Sequence, residues 1–228
     1  MSEACFYDRL LAETAPAREA FLKIPIIVTT LDTGVGREQY LSYLAQAYHH
    51  VRHTCPLLGA ALARCAQGDQ RYRDALLEYI EEERGHDQWI LNDIAALGGD
   101  AQAVRANEGD DAVRVMVAYA YYVIERVSPY ALLGMVHVLE GMSVALAQRA
   151  AASIAQVVGS GTAAGFSYLT SHGALDQEHV AFFERLVNGI EDARQRQAII
   201  DTARIMYRLF GEVFRSLDTP VEEARYAA

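Results

Sequence analysis

Residues 171–186 read SHGALDQEHVAFFERL. His172, Asp176 and His179 stand there at i, i+4 and i+7. At about 100° per residue, Asp176 falls about +40° and His179 about −20° from His172, so a helix would project all three from one narrow stripe. Imidazole and carboxylate converging from one face are a ligand set for iron, manganese or zinc. The competing reading is a solvated polar face, because Gln177 and Glu178 lie beside the stripe. Three other segments hold groups that could complete a shell.

Residues 127–148, VSPYALLGMVHVLEGMSVALAQ, contain one formally charged side chain, Glu140. A carboxylate in so apolar a helix is expected to be buried, where it must be paired, hydrogen-bonded or metal-bound. A structural hydrogen bond to His137, Tyr121 or Tyr122 is the alternative to a metal. In residues 75–98, ALLEYIEEERGHDQWILNDIAALG, Glu83 precedes His86 by three residues, the Glu-x-x-His spacing that aims both groups into a bundle. Glu82 is the competing carboxylate, whereas Glu78, Glu81 and Asp87 read as a solvated face. Residues 41–62, LSYLAQAYHHVRHTCPLLGAAL, add His49, His50 and His53. His49 and His53 share a helix face while His50 points elsewhere. These three are candidates for a further ligand, a substrate contact or an orienting donor, against the alternative of a polar flank solubilised by Arg52.

The chain has 228 residues, 52% of them hydrophobic, enough for one domain spanning 1–228. Its formal charge of −10, from 20 basic and 30 acidic residues, argues against nucleic acid or an anionic membrane surface as partner. A small molecule is expected instead. Cys5, Cys55 and Cys65 form no CxxC, which fits a reducing cytoplasm, and the first residues lack the pattern of a secretory signal. The longest apolar run, between Arg126 and Arg149, is interrupted by a glutamate, a histidine and a proline and does not insist on a membrane span. By the general prevalence of two-fold assemblies, a homodimer is the oligomer to look for.

Helical periodicity runs through nearly the whole chain, so the class is all-α: a compact bundle of about seven to eight helices. The spacing predicts helices near 3–13, 16–23, 37–66, 69–97, 109–127, 129–157, 160–188 and 190–217. Strand-like alternation is confined to KIPIIVTTLD, residues 23–32, ahead of Thr33, Gly34 and Gly36. Tyr119, Tyr121 and Tyr122 could line a substrate pocket or simply pack in the core.

Taken together, these residues resemble the heme-oxygenase-like di-iron oxidases and oxygenases, a branch of the superfamily that also holds the TenA/THI-4 proteins and the pyrroloquinoline-quinone synthase PqqC. The likeness extends over roughly residues 7–215 and is most specific at His172, Asp176 and His179. It implies a heme-oxygenase-like bundle and a metal site of Glu83 (or Glu82), His86, Glu140, His172, Asp176 and His179. It also implies iron as cofactor, one or two ions, with manganese the alternative, and O2 with a small organic molecule as substrates. Many members add a carboxylate from the helix before the Glu/His helix, where this chain offers His49, His50 or His53. TenA-type thiamin hydrolysis uses a mid-chain cysteine, and none follows Cys65 here. The expected function is therefore a non-haem iron, O2-dependent oxidoreductase. Two alternatives stand beside it: a metal-free PqqC-like oxidase or small-ligand binding protein, and a protein-interaction scaffold.

Overall fold

The computed structural model describes residues 5–159, 164–174 and 176–218, and for 172–174 and 176–178 the backbone alone. Among the described residues there are twelve α-helices, one 3-10 turn and no strand. In chain order they are α1 (Phe6–Leu22), α2 (Pro25–Thr33), α3 (Arg37–Val51), α4 (Thr54–Arg64), α5 (Gln70–Glu83) and α6 (His86–Ala96). Then come α7 (Ala101–Ala106), α8 (Asp111–Arg126), the 3-10 turn Pro129–Ala131, α9 (Leu132–Val158), α10 (Ser167–Ala174), α11 (Asp176–Asn188) and α12 (Ala193–Ser216).

Helix α9 is the axis of the bundle, packing on α12, α10, α2 and α11. It takes part in both hydrophobic clusters. Leu132, Leu133, Val138 and Met142 join one with α1, α4, α5, α8, α11 and α12. Ala147, Ala151 and Ile154 join the other with α3, α6 and the start of α10. The close approach to α12 requires Gly134, where a Cβ would stand 2.5 Å from the Ile199 carbonyl oxygen. Pro129–Val158 is long and apolar enough to cross a membrane by length and composition, which the interruptions at Pro129, His137 and Glu140 do not prevent. More than half of its most apolar window is nevertheless buried within the bundle.

The KIPIIVTTLD run, expected to alternate as a strand, is the helix α2. Pro25 occupies its first turn, where a missing N–H costs nothing. Ile26 and Ile27 are buried, and the hydroxyls of Thr30 and Thr33 donate to the carbonyls four residues back. Each bond gives the threonine hydroxyl a partner within its own helix. Four other expected spans change. Residues 3–13 and 16–23 merge into α1, which runs through Pro16. The 37–66 span divides at Arg52 and His53, and 69–97 divides at Gly85, whose φ of 95° only glycine adopts readily. Within 160–188 the structure describes α10 and α11, while residues 160–163 and 175 lie outside the described residues.

Asp93 on α6 fixes the start of α10. Its carboxylate, 2% exposed, accepts from the backbone N–H groups of Gly165 (3.2 Å), Ser167 (3.1 Å) and Tyr168 (2.8 Å) and from the Ser167 hydroxyl (2.7 Å). A buried carboxylate is tolerated when donors surround it, and these are the unsatisfied donors of a helix N-terminus.

Candidate functional site

The turn between α5 and α6 builds the first part of the site. Glu82 and Glu83 end α5, Gly85 interrupts the helix in a left-handed conformation, and His86 begins α6. The Glu83 and His86 side chains are only 12% and 3% exposed, and Glu83 Oε2 lies 3.0 Å from His86 Nδ1. An ionised carboxylate only accepts, so Nδ1–H is the donor, and the lone pair of the neutral ring is at Nε2. The imidazole stacks on Trp89, with ring centroids 4.1 Å apart. From α11, His179 Nε2 stands 3.3 Å from Glu82 Oε2. The spacing had left Glu82 and Glu83 as competitors; each faces a histidine.

One turn before Glu83, the enclosed Tyr79 hydroxyl has no hydrogen-bond partner among the described residues. Burial first, then Glu140, Glu82 and Glu83, drive its pKa well above the usual range. Three carboxylates from α5 and α9 thus act on one phenol. Burial likewise raises the pKa of Glu82, His179 opposes the shift, and Glu78 and Glu83 add to it. Glu140, Glu83 and Tyr79 line a cavity of about 90 Å³ together with His50, Ser143 and Tyr168. The groups weighed as structural partners for Glu140 are engaged elsewhere or point away. His137 Nε2 is 3.2 Å from Thr14 Oγ1, His53 Nδ1 is 3.1 Å from Tyr121 Oη, and Tyr122 is exposed.

The backbone carries His172 on α10 and Asp176 on α11, but their side chains lie outside the described residues. Among the described residues the donors stand as two carboxylate–imidazole pairs, and no three His, Cys, Asp or Glu side chains cluster tightly enough to hold a metal ion.

Of the histidines His49, His50 and His53, His50 lines the cavity. His49 is buried against Gly109, and burial and Arg52 lower its pKa. Asn107 is near it, but neither ring nitrogen reaches hydrogen-bond geometry. His53 faces Tyr121, away from the carboxylates. The tyrosines that line cavities are Tyr40, Tyr43, Tyr79 and Tyr168, rather than Tyr119, Tyr121 and Tyr122. Tyr79 could have been found in the sequence, since it precedes Glu83 by one helical turn, and Tyr168 precedes His172 by the same interval.

A second, largely apolar cavity of about 110 Å³ lies between α2, α3, α9 and α12, and shares His50, Leu139, Ser143 and Tyr168 with the first.

The model of a protein family described as iron-containing redox enzymes matches residues 41–211. The chain belongs to that family. The matched span runs from α3 to α12 and takes in every candidate ligand. Among solved structures, a domain of unknown function with a heme oxygenase-like fold from Shewanella denitrificans shares 19% identity over 92% of this chain and 91% of its own, with a TM-score of 0.83. A TenA homologue from Pseudomonas syringae shares 16% over 92% and 93%, with a TM-score of 0.74. Heme oxygenase-2 from Synechocystis, in complex with heme and NO, shares 14% over 94% and 85%, with a TM-score of 0.73. The fold is therefore heme oxygenase-like and all-α. Comparison with curated proteins by sequence gives no match.

Carboxylate oxygens and imidazole nitrogens are donors that iron takes, and the pairs Glu83–His86 and Glu82–His179 present both kinds, with Glu140 acting on the same Tyr79 phenol as Glu82 and Glu83. Tyr79 Oη adds a buried donor with no acceptor among the described residues, beside carboxylates whose mutual repulsion a cation would relieve.

Proposed function

We propose that this family member is a non-haem iron enzyme using O2 to oxidise a small organic molecule. The residues that would hold one or two ions are Glu83, His86, Glu140 and His179, with His172 and Asp176, while Glu82 either ligates or orients His179. The observation that carries this reading is the pair of carboxylate–imidazole contacts, Glu83–His86 and Glu82–His179, beside the orphaned Tyr79 hydroxyl. Bound iron would supply the redox chemistry and the open positions where O2 reacts.

The chain's own residues have definable roles. Glu83 holds the Nδ1 proton of His86 and so presents Nε2, with the ring orientation set by Trp89. Tyr79 Oη can donate to a group bound beside Glu140. Apolar walls from Leu57, Leu58, Leu132 and Met135 exclude water and strengthen each of these contacts.

Iron measured in protein produced with ferrous salt, together with an O2-dependent near-ultraviolet or visible band, tests the proposal. Both are expected to disappear in the His172→Ala, His179→Ala double variant. Retention of both would refute the ligand assignment. Metal-free protein whose ligand-dependent stabilisation ignores chelator would favour the PqqC-like alternative.

A further inference from the structure

We propose that the cavity between α2, α3, α9 and α12 is a holding site for O2, from which the gas passes to the neighbouring carboxylate-lined cavity. Its capacity for an apolar gas follows from its walls. That the gas is O2 rests on the iron reading above.

Phe21, Ile27, Leu146, Ile154, Phe210 and Phe214 make much of the wall, and among the described residues no Asp, Glu, Lys or Arg lines it. None of the lining residues is exposed at the protein surface. The polar groups of the wall are engaged with the backbone or with one another. Tyr40 Oη donates to the Gly165 carbonyl at 3.0 Å, Thr30 Oγ1 to the Ile26 carbonyl at 2.7 Å and Gln39 Nε2 to the Leu217 carbonyl at 3.4 Å. The Tyr43 and Tyr168 hydroxyls bond each other. A buried water needs several hydrogen-bond partners, so a space walled in this way stays dry and takes up apolar gas or hydrocarbon in its place.

Size selects between the two. The cavity measures about 110 Å³. Pockets that enclose drug-sized organic molecules start at about 300 Å³, whereas apolar cavities of the smaller class bind xenon. O2 is apolar and smaller than xenon, and it is the apolar substrate of the proposed reaction. Position connects the cavity to that reaction. His50, Leu139, Ser143 and Tyr168 form a wall shared with the cavity that Tyr79, Glu83 and Glu140 line. O2 crossing this partition arrives beside Glu83 and Glu140 without passing through bulk water.

Xenon is the probe, because it is apolar, needs no metal and scatters anomalously. Crystals of metal-free full-length protein under xenon pressure should show a peak ringed by Ile27, Leu146, Ile154 and Phe210, and the peak should be lost when Ala147→Phe fills the cavity from α9. Ala150→Phe, at a less buried position on the same wall, serves if the first variant does not fold, and circular dichroism checks both. Loaded with iron, the same variants should hold as much iron as wild type and react with O2 severalfold more slowly, followed by stopped flow as growth of the O2-dependent band. Absence of xenon from the wild-type cavity would overturn the holding site. A folded, xenon-free variant that reacts with O2 at the wild-type rate would overturn its part in O2 delivery. Protein that takes up xenon but no iron would overturn the iron reading, and with it O2 as the occupant, while the apolar-gas site stands.

Discussion

His137 and Glu140 lie one turn apart on α9. His137 closes a small internal circuit: Thr14 Oγ1 donates to the Leu10 carbonyl at 2.7 Å and so accepts from His137 Nε2–H at 3.2 Å. Burial, then Arg18, lowers the pKa of this histidine to about 4. Unfolded, the same ring takes its proton below about pH 6.5. Between those values the unfolded chain binds a proton that the folded chain does not, so stability falls as pH drops. The loss from this residue is roughly 2.5 kcal/mol by pH 4.5. His137→Gln, which retains a donor for Thr14, should therefore lose its stability deficit relative to wild type between pH 7 and pH 4.5 in urea titrations; a constant deficit would contradict the coupling. Glu140 was legible from sequence because it is the one charge in an apolar run. The same argument applies to Asp93 in WILNDIAAL, a lone charge in an apolar run that anchors α10.

Helices were read correctly in kind but not in their joints. Gly85 and the Arg52–His53 step interrupt stretches whose apolar period continues across them, so periodicity alone could not divide them. In α2, isoleucine, valine and threonine suggested a strand, but nothing in local propensity reports that Thr30 and Thr33 bond back to their own helix. Two predictions belong to this scale. Asp93→Ala removes four hydrogen bonds at the start of α10 and should cost about 3 kcal/mol. It should also speed hydrogen exchange in α10 more than in α8; equal exchange would show that α10 does not depend on this anchor. Gly34 joins α2 to α3 at φ 75°, where a Cβ would run into the Ser153 carbonyl of α9. Gly34→Ala should cost at least about 2 kcal/mol in chemical denaturation, from backbone strain and the displaced wall of the apolar cavity together.

For the whole molecule, the bundle brings together groups separated by about a hundred residues in sequence. α5 and α6 supply Glu82, Glu83 and His86, α9 supplies Glu140 and α11 supplies His179. Types and spacing made these residues visible in the chain. Their pairing was not visible, since it depends on which helix α11 meets, and the second cavity depends on how α2 lies over α9. The most direct test of the iron assignment is anomalous diffraction across the iron edge from crystals of protein produced with ferrous salt. One or two peaks bounded by Glu83, His86, Glu140 and His179 are predicted. Crystals of iron-loaded protein with no peak there, or with the iron at His49 and His53 instead, would contradict the account.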